Sequence, residues 1–325
     1  MRRGKKLVLL GALALITLGL TGCANNKKSG NEVNVGYFNN VTHAQALLMK
    51  AEGTLEERLG EDVQVNWTAF NAGPAEVEAL FAGDIDIGYI GPVPAVSANV
   101  KSKGDVVVLS GATKGGAVLV KKAGSDIKSV KDLAGKTVAV PQLGNTQHLC
   151  LLDLLDENDL EPVSEGGNVN ITAVANADVA NMMDRGDIDA AIVPEPWGAT
   201  LQEKGAELVL DYDELYMQGQ YDVAVVVVRK EFMEENPEIV DAFLEAHEAA
   251  TVKIVDEQET SLQTINAELQ NATGKSLSDS IIRQAFERII VDTTLNKESI
   301  MRFAAVSEDE DFIDEEPQET DLFAK

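Results

Sequence analysis

Gly83-Asp84-Ile85-Asp86-Ile87-Gly88-Tyr89-Ile90-Gly91-Pro92-Val93-Pro94 and Gly186-Asp187-Ile188-Asp189-Ala190-Ala191-Ile192-Val193-Pro194-Glu195-Pro196-Trp197 are two versions of one phrase. Each runs from a Gly-Asp turn into an apolar strand and stops at prolines suited to the first turn of a helix. The same parts precede both copies in the same order: a strand over 33–38 or 137–142, a helix opening near Thr42 or Thr146, and a second strand over 63–70 or 169–174. Asp84 and Asp187 are 103 positions apart; Thr42 and Thr146, like Val65 and Val169, are 104 apart. A repeat built of alternating strands and helices predicts an α/β protein of two lobes, each an open, mostly parallel sheet flanked by helices. Two lobes leave a cleft, and clefts take ligands.

Strands over 106–110 and 117–121 are expected to complete the first lobe. The second lobe then occupies 121–222, and the apolar run 223–228 carries the chain back. Beyond it no strand is expected, only helices over 237–256, 259–273, 278–290 and 297–305. Asn236-Pro237 and Ser276 or Ser278 are start signals, and Gly274 is a stop. Lobe 1 is therefore 33–120 with 223–306, lobe 2 is 121–222, and the two crossings between them make a hinge.

Residues 1–23 resemble a bacterial lipoprotein signal: Arg2, Arg3, Lys5 and Lys6, an apolar stretch from Leu7 to Leu20, and the lipobox Leu20-Thr21-Gly22-Cys23. The resemblance implies export, lipidation of Cys23 and anchorage to the outer face of the cell membrane, with 24–32 as a polar, flexible tether. The formal net charge is −27, from 54 acidic and 27 basic residues, which disfavours nucleic acid and anionic lipid as partners. Much of the excess lies in 307–325, read as a solvated acidic tail. Cys150 is left without a disulfide partner once Cys23 is lipidated, and among leucines it reads as a small buried hydrophobe.

In open α/β sheets, ligands sit at the carboxyl ends of the strands, against the N-termini of the following helices. Unpaired N–H groups there favour an anion. The corresponding loops contain Asn39, Asn40, Thr42 and His43; Asn71 and Gly73; Gly91 and Pro92; Gln142, Asn145, Thr146 and Gln147; Asn176-Ala177-Asp178; and Glu195 and Trp197. They contain no Arg or Lys, so a densely charged phosphate is disfavoured. Amides and hydroxyls can donate to a solute or merely cap helices. Tyr37, Phe38 and Trp197 can wall a carbon chain or pack in a core. Thr113 joins the candidate ligand set. Glu195 either attracts an ammonium group of the solute or faces its own helix dipole, the second reading being favoured. Asp86 and Asp189 read as turn-fixing copies rather than acid–base groups.

Taken together, Gly36-Tyr37-Phe38-Asn39-Asn40, Phe70-Asn71-Ala72-Gly73-Pro74, Ile87-Gly88-Tyr89-Ile90-Gly91-Pro92, Pro141-Gln142-Leu143-Gly144-Asn145-Thr146-Gln147 and Pro194-Glu195-Pro196-Trp197 resemble the nitrate/sulfonate/taurine class of ABC-transporter solute-binding proteins, above all the aliphatic-sulfonate binders. The resemblance spans roughly 33–290. It implies a type II periplasmic-binding-protein fold, capture of a small organic anion by a monomer, hinge closure, and delivery to a permease and its ATPase. Nitrate or a thiamine-pyrimidine or other heterocycle is the alternative solute. No enzyme is expected: there is no nucleophile elbow with its triad, no His-Glu-x-x-His and no cysteine pair, hence no cofactor or metal. The sensory lobe of a regulator is opposed by the export signal.

Overall fold

The computed structural model describes residues 32–324, so the signal, Cys23 and nearly all of the tether lie outside the described residues. Two mixed sheets carry the fold. In the first, β1 (Glu32–Phe38) lies parallel to β2 (Gln64–Phe70) and β3 (Ile87–Ile90). Further across come β4 (Val106–Gly115), β10 (Asp222–Arg229) and β11 (Ile289–Val291), in the order β11-β4-β10-β3-β1-β2. The second contains β5 (Ala117–Lys121), β6 (Thr137–Val140), β7 (Asn170–Ala173), β8 (Ala190–Pro194) and β9 (Glu207–Leu210), ordered β7-β6-β8-β5-β9. Each sheet keeps a parallel trio, β2-β1-β3 or β7-β6-β8, and departs from the mostly parallel expectation by antiparallel additions at β10, β11 and β5.

The repeated aspartates do the same work twice. Asp86 accepts the backbone N–H of Asn34 (2.9 Å), and Asp189 accepts that of Thr137 (2.8 Å). In return the N–H of Asp86 donates to the Asn34 carbonyl and that of Asp189 to the Thr137 carbonyl, each at 2.9 Å. Each carboxylate thus pins the start of the first strand of its half to the start of the third. Asp86 alone adds Arg229 (2.6 Å).

β10 shows why a central strand reads as a continuous apolar run. Ala224, Val226 and Val228 face a cluster with α1 (Ala44–Glu52), α10 (Pro237–Asp256) and α11 (Gln258–Thr273), while Val225 and Val227 face the opposite cluster with α3 (Gly73–Ala82) and α4 (Pro92–Ser102). Side chains alternate across a strand, so burial on both faces leaves no polar positions. Burial of such a side chain contributes about 1.5–3 kcal/mol.

Four expectations are corrected. The strand at 117–121 belongs to the second sheet, so the first crossing occurs at Gly115-Gly116, whose φ of 68° and 71° suit glycine. A β-carbon on Gly115 would press on the Tyr212 ring, and one on Gly116 would overlap Ile289. The helix after Thr42 is broken: a 3₁₀ turn at Val41–His43 precedes α1, and Gly53 separates it from α2 (Thr54–Leu59). A strand, β11, follows α12 (Asp279–Glu287) where only helix was expected; three residues are too few to show a period of two. The acidic tail is not merely solvated. α13 (Lys297–Asp309) runs into it, Ile313, Leu322 and Phe323 are buried, and Phe323 bridges to Val108 while the Ala324 N–H donates to the Val108 carbonyl (2.9 Å). Its acids face out and its few apolar side chains anchor it, a pattern masked by the charge run.

Glu76, in the first turn of α3, is fully buried, and neither carboxyl oxygen has a hydrogen-bond partner among the described residues. It lies on Gly36 and Gly88, neighbours in β1 and β3, where a β-carbon on either would overlap Oε1. Burial without compensation pushes this carboxyl well above the usual range. The native state therefore holds a proton that the unfolded chain gives up above about pH 4.3, so stability falls as pH rises from there toward the folded pKa. Glu76→Gln should raise the melting temperature at pH 8, and the gain should shrink as the pH is lowered toward 4. An equal effect at both pH values, measured by thermal denaturation, would show that the buried group is not held neutral.

Candidate functional site

A small cavity, about 30 Å³, lies between the two sheets at the carboxyl ends of their parallel strands. The first half supplies Phe38, Asn40, Thr42, His43, Asn71, Gly73 and Gly91; the second supplies Asn145, Thr146 and Gln147. The N-terminal ends of α3, α4 and α5 (Thr146–Asp156) meet here. They are not equivalent. Pro92 and Pro94 remove two backbone donors from the first turn of α4. The α5 end keeps the N–H groups of Thr146 and Gln147.

Side-chain hydrogen bonds within the protein sort the polar groups of the wall. Asn40 Oδ1 accepts the indole N–H of Trp197 (3.0 Å), so its amide nitrogen remains for the cavity. His43 Nδ1 accepts the Phe38 N–H (3.2 Å), which fixes the tautomer with its proton on Nε2. Burial lowers the His43 pKa to about 3, so the ring is a neutral donor. Asn145 Oδ1 accepts the His148 N–H (2.9 Å) as the N-cap of α5, and its Nδ2 donates to Gln147 Oε1 (3.2 Å). Gln147 is left with its amide nitrogen. In three side chains the acceptor atom is engaged by the protein and the donor atom is spared. The Thr146 hydroxyl, 2 % exposed, has no partner among the described residues.

The rest of the wall was missed in the sequence. Ala72, Pro94, Pro141, Pro194 and Val223 form apolar surface, and the search for donors passed over them. Asn176, which opens the 3₁₀ turn after β7, also lines the cavity. It occupies the place of Asn71 in the second copy, in a loop that the sequence places at the cleft although Asn176 was not singled out as a candidate ligand residue. None of the lining residues is an Asp, Glu, Lys or Arg.

Several candidates lie elsewhere. Tyr37 points to the opposite face of β1, edge-on to Trp67 (centroids 5.9 Å apart), because strand neighbours alternate. Asn39 and Pro92 flank the cavity without lining it, and Gln142 lies in the turn before α5, where its carbonyl accepts the Asn145 N–H (3.4 Å). The Thr113 hydroxyl donates to the Thr42 carbonyl (2.6 Å), holding the 3₁₀ turn from behind. Trp197 acts through its bond to Asn40 across the mouth. Glu195 is fully buried: Oε1 accepts from Arg288 (2.7 Å) and Oε2 from the Ala199 N–H (2.9 Å), at the start of α7 (Trp197–Glu203). It serves its helix and Arg288 rather than the cavity. His148 packs edge-on against Phe312, with Nδ1 accepting the Gly144 N–H (3.1 Å), repeating the His43 arrangement outside the cavity.

The two halves touch at Gly91, where a β-carbon would overlap Thr146 Oγ1. The Gly91 backbone is extended (φ −69°, ψ 152°), so any residue fits locally. Gly91→Val should leave each half folded but wedge them apart and break the Trp197–Asn40 bond. Tryptophan emission should shift to the red with no loss of far-ultraviolet circular dichroism; unshifted emission would mean that Thr146 yields instead.

Comparison with known proteins agrees with this architecture. The chain is 32% identical over 236 residues to the taurine-binding periplasmic protein of Escherichia coli (strain K12), covering 72% of this chain and 68% of that one. The alkanesulfonate-binding protein SsuA from Xanthomonas axonopodis pv. citri, solved bound to MOPS, superposes with a TM-score of 0.74 at 21% identity, covering 89% of this chain and 95% of that one. The periplasmic nitrate-binding protein NrtA from Synechocystis PCC 6803 gives 0.69 at 15%, covering 90% and 83%. These two share the periplasmic-binding-protein type of fold seen here. Residues 26–267 match the model of the NMT1-like family, and the chain belongs to that family.

Proposed function

We propose that this chain is the solute-binding subunit of an ABC importer and that it captures a small organic anion of the aliphatic-sulfonate type between its lobes. The observation that carries the reading is a group of three fixed donors in the wall: Asn40, His43 and Gln147 have their acceptor atoms engaged by the protein and their N–H groups available. Hydrogen bonds from neutral groups to an ionised acceptor are worth about 1.5–3 kcal/mol each. The end of a helix adds about 0.3–1 kcal/mol. A few of these hold a monoanion without any cationic side chain.

The apolar part of the wall favours a sulfonate over nitrate. Phe38, Pro94, Pro141 and Pro194 give an alkyl chain somewhere to lie, and nitrate has none. The relatives named for taurine and alkanesulfonate support a sulfonate, and the one named for nitrate supports the alternative. Lobes divided as 33–120 with 223–306 and 121–222 were read from the sequence; the sheet membership of β5 favours a first boundary near Gly116. In this reading Gly115-Gly116 and the segment entering β10 are the hinge, and the Trp197–Asn40 bond closes the mouth over bound solute. The protein works as a monomer, exported and anchored by lipid at Cys23, and hands its solute to a permease and ATPase. A heterocyclic solute would want stacking faces on both sides, and Phe38 is the one aromatic carbocycle in the wall.

Titration followed by tryptophan fluorescence tests the reading. Propane-1-sulfonate should give a saturable change that Trp197→Phe abolishes, since Trp67 is bonded to Glu56 away from the cavity. That substitution removes one hydrogen bond, about 1 kcal/mol, so affinity measured by calorimetry should fall about fivefold. A saturable response to nitrate or hydroxymethylpyrimidine, with none to sulfonates, would overturn the choice of solute.

A further inference from the structure

We infer that the C-terminal segment 297–313 is a clamp that holds α5 against the first half of the molecule, and that Arg302 and Phe312 are positioning residues for the solute although neither lines the cavity. The inference rests on capture of a solute between the halves, not on which solute it is. α5 is the element that matters: its N-cap Asn145 and its first residues Thr146 and Gln147 line the cavity, while Leu151, Leu154 and Leu155 pack on the second sheet. α13 belongs to the other half. Its Ile300 and Ala304 share an apolar cluster with α3, α4 and β10, and so do Ile313, Leu322 and Phe323 beyond it.

From that footing the segment reaches α5 at both ends. At the last turn, Arg302 donates to Asp153 (2.8 Å) and Glu157 (3.0 Å). The same guanidinium lies 4.9 Å from the centre of the Tyr216 ring, on which Phe303 stacks at 4.6 Å. At the first turn, Phe312 sits edge-on to His148, ring centroids 5.5 Å apart, and covers Gly144, where a β-carbon would meet its ring at 3.5 Å. Phe312 thus backs the stretch that carries Asn145, Thr146 and Gln147. Between these contacts Leu149, Cys150 and Leu152 of α5 share one cluster with Val93 of α4 and Phe303 of α13. His148 and Glu157 are nine positions apart, about 13 Å along a helix, so two holds at that separation fix the tilt of α5 as well as its place. Tilting it would shift Thr146 and Gln147 relative to Asn40 and His43 on the facing wall. When the halves part, α5 travels with the second sheet and α13 stays with the first, so the clamp exists only in the shut form. It acts on release of the solute rather than on encounter.

Stopped-flow tryptophan fluorescence of the full chain with propane-1-sulfonate tests this. Phe312→Ala should raise the dissociation rate about tenfold and Arg302→Gln about threefold, each with the association rate held within about twofold of the parent. The Arg302 side chain is 41 % exposed, so its replacement reports on the clamp even where Phe312→Ala fails to fold; circular dichroism checks both. Unchanged dissociation rates, or affinity lost wholly through slower association, overturn the inference, because the segment would then only support the fold. If the parent answers to nitrate or hydroxymethylpyrimidine and not to the sulfonate, the sulfonate reading falls, and the same two rates measured with that solute decide the clamp separately. A parent that binds none of the three removes both.

Discussion

The site depends on hydrogen bonds the protein makes with itself. An amide or imidazole is ambivalent, offering a donor and an acceptor in equal measure, and a wall of such groups would recognise nothing in particular. Here Trp197, the Phe38 backbone and Asn145 each engage the accepting atom of a neighbour. On those three side chains what remains is a donor held in place by bonds formed before any solute arrives, so little ordering of them is left to be done on binding. The net charge of −27 does not oppose this. Exposed charges more than a Debye length away are screened, whereas a buried donor at hydrogen-bond distance is not.

Much of this architecture was legible because the chain writes it twice. The offset of 103 to 104 residues located the two copies, the Gly-Asp turns located a strand in each, and the prolines located the helix starts. Asp86 and Asp189 then proved to be matching staples. What could not be read was direction. Tyr37 and Phe38 are adjacent, and only the register of β1 decides which one reaches the cavity. Glu195 and Asn40 look equally available as letters, and only the approach of Arg288 and Trp197 from other parts of the chain distinguishes them. Long-range partners of this kind leave no local pattern. The apolar wall was missed for a different reason: prolines that mark helix starts also cover surface, and the first role hid the second.

Most buried charged groups among the described residues are compensated, although Asp222 is so at one oxygen only. Glu195 is compensated by Arg288 and an N–H group, Asp86 by Arg229 and Asn34, and Glu268 by Lys50, as burial requires. Glu76 has no such help. It occupies the notch left by two glycines on adjacent strands, from the first turn of the helix whose first residue, Gly73, lines the cavity. A neutral acid there fills volume, and a leucine would not be expected to fit the same shallow groove without moving α3 away from the sheet.

The placement of the chain ends has a mechanical meaning. β1 begins at Glu32 and reaches the cavity at Phe38, so the chain enters the six-stranded sheet at the edge farthest from the mouth. Phe323 bridges to Val108, near the start of β4, which is level in register through Val227 and Gly88 with Gly36 in β1. Whatever precedes Glu32 therefore joins the sheet at the edge away from the cavity. The cavity end of that strand is left clear of such a join.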